Sequence, residues 1–498
     1  MSFINLAARW LINPKSPDKV VVYSQQGNVT YLALQQQVCQ LASAFEAFDI
    51  KPNDRIVIAM NDSTQLYTCF LASLACGAIP IVINPKLSDG NQQFIIEDSD
   101  ASILIHHTVD GISCQFYSAG NETHFCGYQS LLATGVDNWS GFHFKHGDDI
   151  AFMQYTSGTT GNPKGVMHSS NNALQSYQAF AQKTLSVTSD DRFYSLAKSF
   201  FGYGLGNSVF FPLECGGSVV LDANWPTPKT VMANVSRYKP TVFFGVPAIY
   251  QALLSQQGIV AAFSSVRIAV SAGAALPEQL FQHWQAMFGT AILDGLGSTE
   301  LCHIFCSHTR ETAVPGTLGK PLEGYDIDIR DAAGHSVADN VCGKMWVKGP
   351  SVAQGYWRNP QATKDKFQLG WYDSGDLALR DVQGNIHFKG RADDLFKVNG
   401  RWVIPAEIEA RIMIEFSSIV EMALVPTEDE YGLTRAALYV VINNNTANEL
   451  IAAIKGWCTD ELSNFQRPIY IETLTALPRN DNGKVIRRQL QRLSEGVA

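Results

Sequence analysis

The 498-residue chain is longer than one hydrophobic core ordinarily serves, so at least two domains are expected. With 46% hydrophobic and 11% aromatic residues it can fill a large core, and a formal net charge of -9 argues against a nucleic-acid binder, which would carry a basic face. Ten cysteines scattered from Cys39 to Cys458 without framework spacing fit a reducing compartment, and no run approaches the ~18 apolar residues of a membrane helix, so a cytoplasmic protein with no membrane partner is expected.

From Arg55 onward short β-branched runs alternate with longer amphipathic ones. RIVIAM is followed by the helical TQLYTCFLASLACGA, then PIVIN, the helical QQFIIED, and SILIH. Such alternation predicts parallel strands joined by crossover helices.

The apolar run Ile150 to Met153 leads into Tyr155 to Gly165, YTSGTTGNPKG. Small residues let backbone N–H groups close around phosphate oxygens, while Thr156, Ser157, Thr159 and Thr160 add hydroxyls and Lys164 a mobile positive charge. Gly158 and Gly161 permit the turns. Lys164 follows Pro163 and precedes Gly165, so the stretch is not a Walker loop, which ends in Gly-Lys-Ser/Thr. On its own it reads as a phosphate cradle or as a Ser/Thr/Gly surface turn.

Alternation resumes with GSVVLD, TVMANVSRY, TVFFG, a helix opened by Pro247, VRIAVSAG, a helix opened by Pro277, and AILDG. The first three hundred residues thus predict one or two doubly wound sheets. Functional loops of such sheets gather at the carboxyl ends of strands, where SAGAA and GLGSTE stand. Cys302, His303, Cys306 and His308 lie close together but lack a second Cys-x2-Cys arm, so pocket wall or core is the expectation over a metal site.

Beyond Pro315 glycine-punctuated runs such as GYDIDIRD, GKMWVKG and GNIHFKGR predict a small antiparallel β-barrel or sheet. A polar stretch, GRADDLFKVNGR, then precedes a mixed α+β segment. The domains expected are 1–390, a hinge at 391–394, and a small mobile α+β lid at 395–498.

Four pieces stand beside the glycine-rich loop: Gly297-Ser298-Thr299-Glu300, Asp376 in YDSGDL, Arg391 to Asp394, and Lys484 in PRNDNGK. Singly, Glu300 reads equally as a helix cap, Asp376 as support for a glycine turn, and Lys484 as a solvated side chain. Together and in this order they resemble the adenylate-forming superfamily of acyl-CoA synthetases, adenylation domains and firefly-type luciferases. The resemblance covers essentially the whole chain.

That resemblance implies ATP, Mg2+ and CoA as cosubstrates and cofactor. A carboxylate would attack the α-phosphorus of ATP and expel pyrophosphate, and a thiol would then displace AMP from the acyl-adenylate. The ATP site would comprise Thr156, Ser157, Gly158, Thr159, Thr160, Gly161, Lys164, Gly295, Ser298, Thr299, Asp376, Arg391 and Lys484. Within it Thr299 would contact the α-phosphate, Glu300 would hold Mg2+, Asp376 would accept from both ribose hydroxyls, and Arg391 would sit near ribose or phosphate. Lys484 would bridge the carboxylate and the α-phosphate. The small domain would swing about Asp393, bringing Lys397, Val398, Asn399 and Gly400 to form the thiol tunnel.

The segment SFFGYGLGNSVF, Ser199 to Phe210, has aromatics and glycines but no acidic residue to meet an α-ammonium, which argues against an amino-acid substrate. A flat, largely apolar slot for an aromatic ring fits better, although core aromatics would read alike. FFGYGLGN, FGVPAIY, DGLGSTELCHIF, KVNGRWVIP and LPRNDNGK are most similar to benzoate-type aryl-CoA ligases, especially the anthranilate-CoA ligases that start alkylquinolone biosynthesis. Benzoate ligases usually carry glutamate after Ser-Ala-Gly, whereas Ala274 follows Gly273 here. The acyl pocket implied comprises Tyr155, Phe201, Gly202, Tyr203, Ala272, Gly273, Ala274, Gly297 and His303, with His303 facing the ring's ortho group or carboxylate. Transfer to CoA, loading of a carrier protein, and a non-catalytic binding role all remain open at this point, as does a homodimer.

Overall fold

The computed structural model describes residues 2–12, 14, 16–109, 111–117, 123–156, 162–416, 418–442, 447–479 and 485–494. Packing divides the chain into two units. One comprises Met1–Ile327, Val347–Tyr372 and Gly384–Ile386, and the other Asp328–Trp346, Asp373–Gln383 and His387–Ala498.

The first unit holds two large sheets. A seven-stranded sheet runs in the order Lys164–Ser169, Ile150–Thr156, Ile79–Ile83, Arg55–Ala59, Ala101–Thr108, Gly111–Tyr117 and Thr123–Gly127. Its middle strands are parallel, and antiparallel hairpins close both margins. Strands buried on both faces need unbroken apolar runs, and Ile79–Ile83 is buried at every position. The helix Thr64–Ala75 between the two central strands is capped by Ser63, whose Oγ accepts from Leu66 N, and all but Gln65 of it is buried.

The second sheet has nine strands, in the order Lys320–Pro321, Ile304–Ser307, Ile292–Gly297, Ile268–Ala272, Val242–Gly245, Arg192–Ser195, Ser218–Val220, Val20–Tyr23 and Val29–Thr30. From Val20–Tyr23 to Ile292–Gly297 every pairing is parallel. One face is covered by the helices Pro228–Tyr238, Pro247–Leu254 and Glu278–Phe288, where Phe243, Tyr250, Phe263 and Trp284 interlock edge to face. The doubly wound expectation therefore resolves into two sheets.

The strand-and-turn segment forms a five-stranded sheet from Asp326–Arg330, Gly343–Lys348, Phe367–Gln368, Trp371–Arg380 and Ile386–Arg391. Most of its residues fall in the second unit. Ile386–Arg391, which leads into the C-terminal segment, pairs with Trp371–Arg380. The rest of the second unit is a three-stranded sheet, Ile419–Glu428, Thr434–Ile442 and Pro468–Thr473, with the helices Pro405–Glu415, Ala447–Glu461 and Arg487–Ser494. Among the described residues no helix is long and apolar enough to cross a membrane.

Candidate active site

Parallel strands deliver their loops to one edge, and in the first unit the predicted residues gather there. Ile150–Thr156 runs parallel to Ile79–Ile83, then folds back on Lys164–Ser169 with Thr156 opposite Lys164. The hairpin so sets both ends of the glycine-rich loop side by side. Ser157, Gly158, Thr159, Thr160 and Gly161 lie outside the described residues, as does Lys484.

In the nine-stranded sheet Ala272 pairs with Gly295 across adjacent parallel strands. The chain leaves the second of these strands through Ser298 into a single turn, Thr299–Leu301. Ser298 Oγ accepts from Glu300 N at 3.2 Å and donates to Glu300 Oε2 at 2.5 Å. The other carboxylate oxygen accepts from the Tyr356 hydroxyl at 2.9 Å. Lys164 Nζ lies 5.4 Å from the centroid of the Tyr356 ring, so the predicted loop lysine and the predicted acidic residue meet the same tyrosine.

Thr299 is held from behind. His168 is completely buried, and its Nε2 lies 2.7 Å from Thr299 O. A carbonyl only accepts, so Nε2 carries the proton; burial drives the imidazole pKa down to about 4 and keeps the ring neutral. Next comes Cys302 at φ 66° and ψ -40°, with His303 N donating to Leu301 O at 2.8 Å. This is a three-residue turn of the positive-φ kind, a strained conformation for a residue with a side chain. It turns His303 inward.

His303 stands among Phe180, Tyr203 and Phe211, with ring centroids 5.4, 5.6 and 4.6 Å away. Its Nε2 is 3.1 Å from Asn207 Oδ1 and 3.3 Å from Tyr203 O, and burial lowers its pKa to about 3. Nδ1 is buried with no partner among the described residues. A Cβ on Gly206 would lie 2.4 Å from His303 Cδ2, so only glycine fits beneath this ring. Tyr203 meets Phe244 edge to face and donates to Val270 O at 3.3 Å. Tyr203, Phe244 and His303 thus form an aromatic cluster around the segment expected to carry the slot.

Phe201 packs on Phe200, with ring centroids 4.7 Å apart. Gly273 takes φ 88°, and Ala274 after it is exposed. A Cβ on Gly297 would crowd the His303 carbonyl at 3.0 Å. Tyr155 is not brought to this group. Its hydroxyl donates to Asp98 Oδ2 at 2.6 Å, and alternation along the strand turns the neighbouring Gln154 toward Gly202 instead.

Sequence reasoning missed several supports. Asp294 is buried, accepts from Leu276 N and Gly295 N at 3.1 Å each, and thereby pins the loop after Ala272. Burial raises its pKa to about 7 against those two N–H bonds. Asp62, also buried, accepts from Ser199 N at 2.9 Å and fixes the start of the pocket loop. Period-two alternation around the glycine-rich loop would have singled out Gln154. Tyr356 and Asp62 carry no local signal, since they act from distant segments.

In the second unit Asp376 and Arg391 form a pair, Nη1 to Oδ1 at 2.7 Å, and the same Nη1 donates to Ser374 O at 2.9 Å. Asp393 is exposed in the single turn Ala392–Asp394, whose last residue meets Arg487 at 3.3 Å. The strands Phe396–Val398 and Arg401–Val403 form a hairpin turned by Asn399 and Gly400 at φ 51° and 75°, the Asn-Gly pattern of a tight β-turn. Lys397 Nζ sits 4.5 Å from the centroid of the Trp402 ring, and Asn399 Oδ1 accepts from Arg435 at 3.1 Å.

Among the described residues no three His, Cys, Asp or Glu side chains gather as a metal cage. Glu300 nevertheless suits a hard cation that keeps most of its shell from phosphate and water, as Mg2+ does. Two hydroxyls orient its carboxylate oxygens.

Comparison with known families decides what this arrangement is. Residues 12–357 match the model of the AMP-binding enzymes, and residues 407–484 match the AMP-binding enzyme C-terminal domain. The chain belongs to the AMP-binding enzyme family.

Similar proteins include an anthranilate–CoA ligase of Pseudomonas aeruginosa, 38% identical over 96% of this chain and 94% of that one. A benzoate–CoA ligase of Thauera aromatica is 33% identical over 95% of this chain and 92% of its own length. Among solved structures, an anthranilate CoA ligase in complex with anthranoyl-AMP superposes with a TM-score of 0.89 at 28% identity, covering 99% of this chain and 98% of that one. This AMP-binding enzyme is accordingly an AMP-forming acid–thiol ligase of the aryl-CoA ligase group, working with ATP, Mg2+ and CoA.

Proposed function

We propose that this AMP-binding enzyme activates anthranilate, 2-aminobenzoate, as an acyl-adenylate and transfers it to CoA, releasing AMP and pyrophosphate. The observation that carries the reading is the aromatic cluster of Tyr203, Phe244 and His303, which adjoins the Thr299–Glu300 turn through Cys302. A neutral, buried imidazole suits an uncharged ring bearing a polar substituent. Ala274 at the position where benzoate ligases usually carry glutamate, and the 38% identity to an anthranilate–CoA ligase, point the same way.

In the first half-reaction a substrate carboxylate oxygen attacks the α-phosphorus and the bond to pyrophosphate breaks. Negative charge concentrates there, so fixed donors and cations do the work. Thr156 to Lys164 cradles the leaving pyrophosphate, Thr299 meets the α-phosphate, and Lys484 bridges it to the carboxylate. Glu300 would hold Mg2+, which when bound would neutralise charge on the phosphates. Asp376 takes the ribose hydroxyls, with Arg391 beside it. In the second half-reaction the CoA thiol attacks the acyl carbon and AMP leaves. The lid, 395–498, turns about Asp393 and presents Lys397 to Gly400 in place of Lys484.

The test is pyrophosphate release with benzoate, 2-aminobenzoate, 2-hydroxybenzoate and 4-hydroxybenzoate, each with and without CoA. The expected result is fastest turnover of 2-aminobenzoate, with AMP release driven by CoA alone. A preference for medium-chain fatty acids would defeat the pocket assignment. A requirement for a carrier protein would defeat CoA as the acceptor.

A further inference from the structure

Gln154 is a polar side chain without an evident task. It lies on Ile150–Thr156, two residues before the glycine-rich loop, and is only 2% exposed. Neither Nε2 nor Oε1 has a hydrogen-bond partner among the described residues. An amide buried in this way loses its hydration with no return, and a strand whose other inward residue here is Phe152 would pack better with an apolar side chain. The natural resolution is a partner that arrives with the ligand.

The surroundings say what kind of partner. Gly202 packs closely on the amide, and only its lack of a side chain lets the amide oxygen lie against the Thr299–Cys302 turn. A Cβ there would lie 3.2 Å from Gln154 Oε1, 3.4 Å from Cys302 O and 3.8 Å from Thr299 Cα. The amide oxygen therefore lies beside the turn of Thr299, assigned to the α-phosphate, and Cys302, and against the glycine that precedes Tyr203. A ring substituent that meets an acceptor beside Thr299 must stand next to the carboxylate, because a meta or para group would point away from Thr299. Oε1 is the amide atom on this side, and an amide oxygen only accepts. His303 Nδ1, in the aromatic cluster, and Ser271 Oγ, on the strand before Gly273, are likewise buried without a partner among the described residues.

We propose that Gln154 is a specificity residue whose buried amide oxygen accepts a hydrogen bond from an N–H or O–H group ortho to the substrate carboxylate. The inference rests on the aryl-acid reading above. It selects 2-aminobenzoate over an acid of equal size that lacks the donor, because the unsuited acid leaves the amide unpaired.

The experiment compares wild type with Gln154→Met, using kcat/KM for pyrophosphate release with 2-aminobenzoate, 2-methylbenzoate and benzoate. The ratio of 2-aminobenzoate to 2-methylbenzoate is expected to fall roughly 10- to 100-fold in the variant, the size of one buried hydrogen bond. A general structural role would slow all three acids alike and leave the ratio unchanged, and that result overturns the proposal. If the methionine variant does not fold, as judged by its melting curve, Gln154→Leu carries the same ratio test. A wild type that shows no preference among the three acids sinks the inference while leaving the aryl-acid reading intact. A wild type that uses none of them sinks both.

Discussion

The Tyr356 hydroxyl donates to Glu300 Oε1 at 2.9 Å from a segment more than fifty residues further along the chain. The same segment is tied to the phosphate-handling hairpin, since Tyr356 bridges Val166 and Trp357 N donates to Gly165 O at 2.7 Å. One residue thus sets the carboxylate proposed for Mg2+ against the hairpin that carries Lys164. Tyr356→Phe keeps the ring and removes the hydroxyl. It is expected to raise the Mg2+ concentration needed for half-maximal pyrophosphate release and to slow adenylation about tenfold, the size of a hydrogen bond to a charged group. A Mg2+ titration identical to wild type would show that the hydroxyl does not orient Glu300.

The two lysines have unequal tasks in the proposed mechanism. Lys484→Ala is expected to abolish adenylate formation while leaving conversion of a supplied acyl-adenylate to thioester largely intact, because the α-phosphate is then leaving. Lys164→Ala weakens handling of pyrophosphate and leaves measurable turnover. Measuring both half-reactions for both variants checks this. Equal loss of the two half-reactions in Lys484→Ala would count against a two-conformation cycle, and an equally dead Lys164→Ala would reverse the ranking.

Asp294 makes stability depend on pH with a definite sign. Burial holds its carboxyl protonated up to about 7 in the folded chain, whereas the unfolded chain releases that proton near the ordinary ~4. Between those values the folded state binds the extra proton. Its contribution is therefore complete below about pH 4 and is lost as pH rises through about 7. Asparagine does not titrate, so the melting temperature of Asp294→Asn relative to wild type should shift in the variant's favour between pH 5 and pH 8. A difference that stays constant over this range would show that Asp294 ionises normally.

Gly400 occupies φ 75° with no atom within 4 Å of where a Cβ would stand, so Gly400→Ala meets backbone strain and no clash. The expected cost is about 1 kcal/mol in the turn that positions Lys397 to Gly400. Thioester formation from supplied adenylate should slow while adenylation stays near wild type. Rapid-quench measurement of the two steps separates them, and a defect confined to adenylation would remove this hairpin from the thiol route.

Much of this enzyme can be read from its sequence because its chemistry lies in contiguous runs. YTSGTTGNPKG, GSTE and YDSGDL each place donors, acceptors and glycines within a few residues, and unbroken apolar runs mark strands buried on both faces. The doubly wound sheets and the aromatic character of Ser199 to Phe210 follow from such local pattern. Tertiary structure alone decided what lies across space. It turned Tyr155 to Asp98 and its neighbour Gln154 to Gly202, brought Tyr356 to Glu300 and His168 to Thr299, and buried Asp294 beneath the loop after Ala272. It also placed most of the five-stranded sheet with the C-terminal unit, through pairing between Trp371–Arg380 and Ile386–Arg391. The reason is the same throughout: residue type and spacing specify local geometry and the charge a loop can carry, whereas the environment that orients a side chain or shifts its pKa is assembled from segments far apart in the chain.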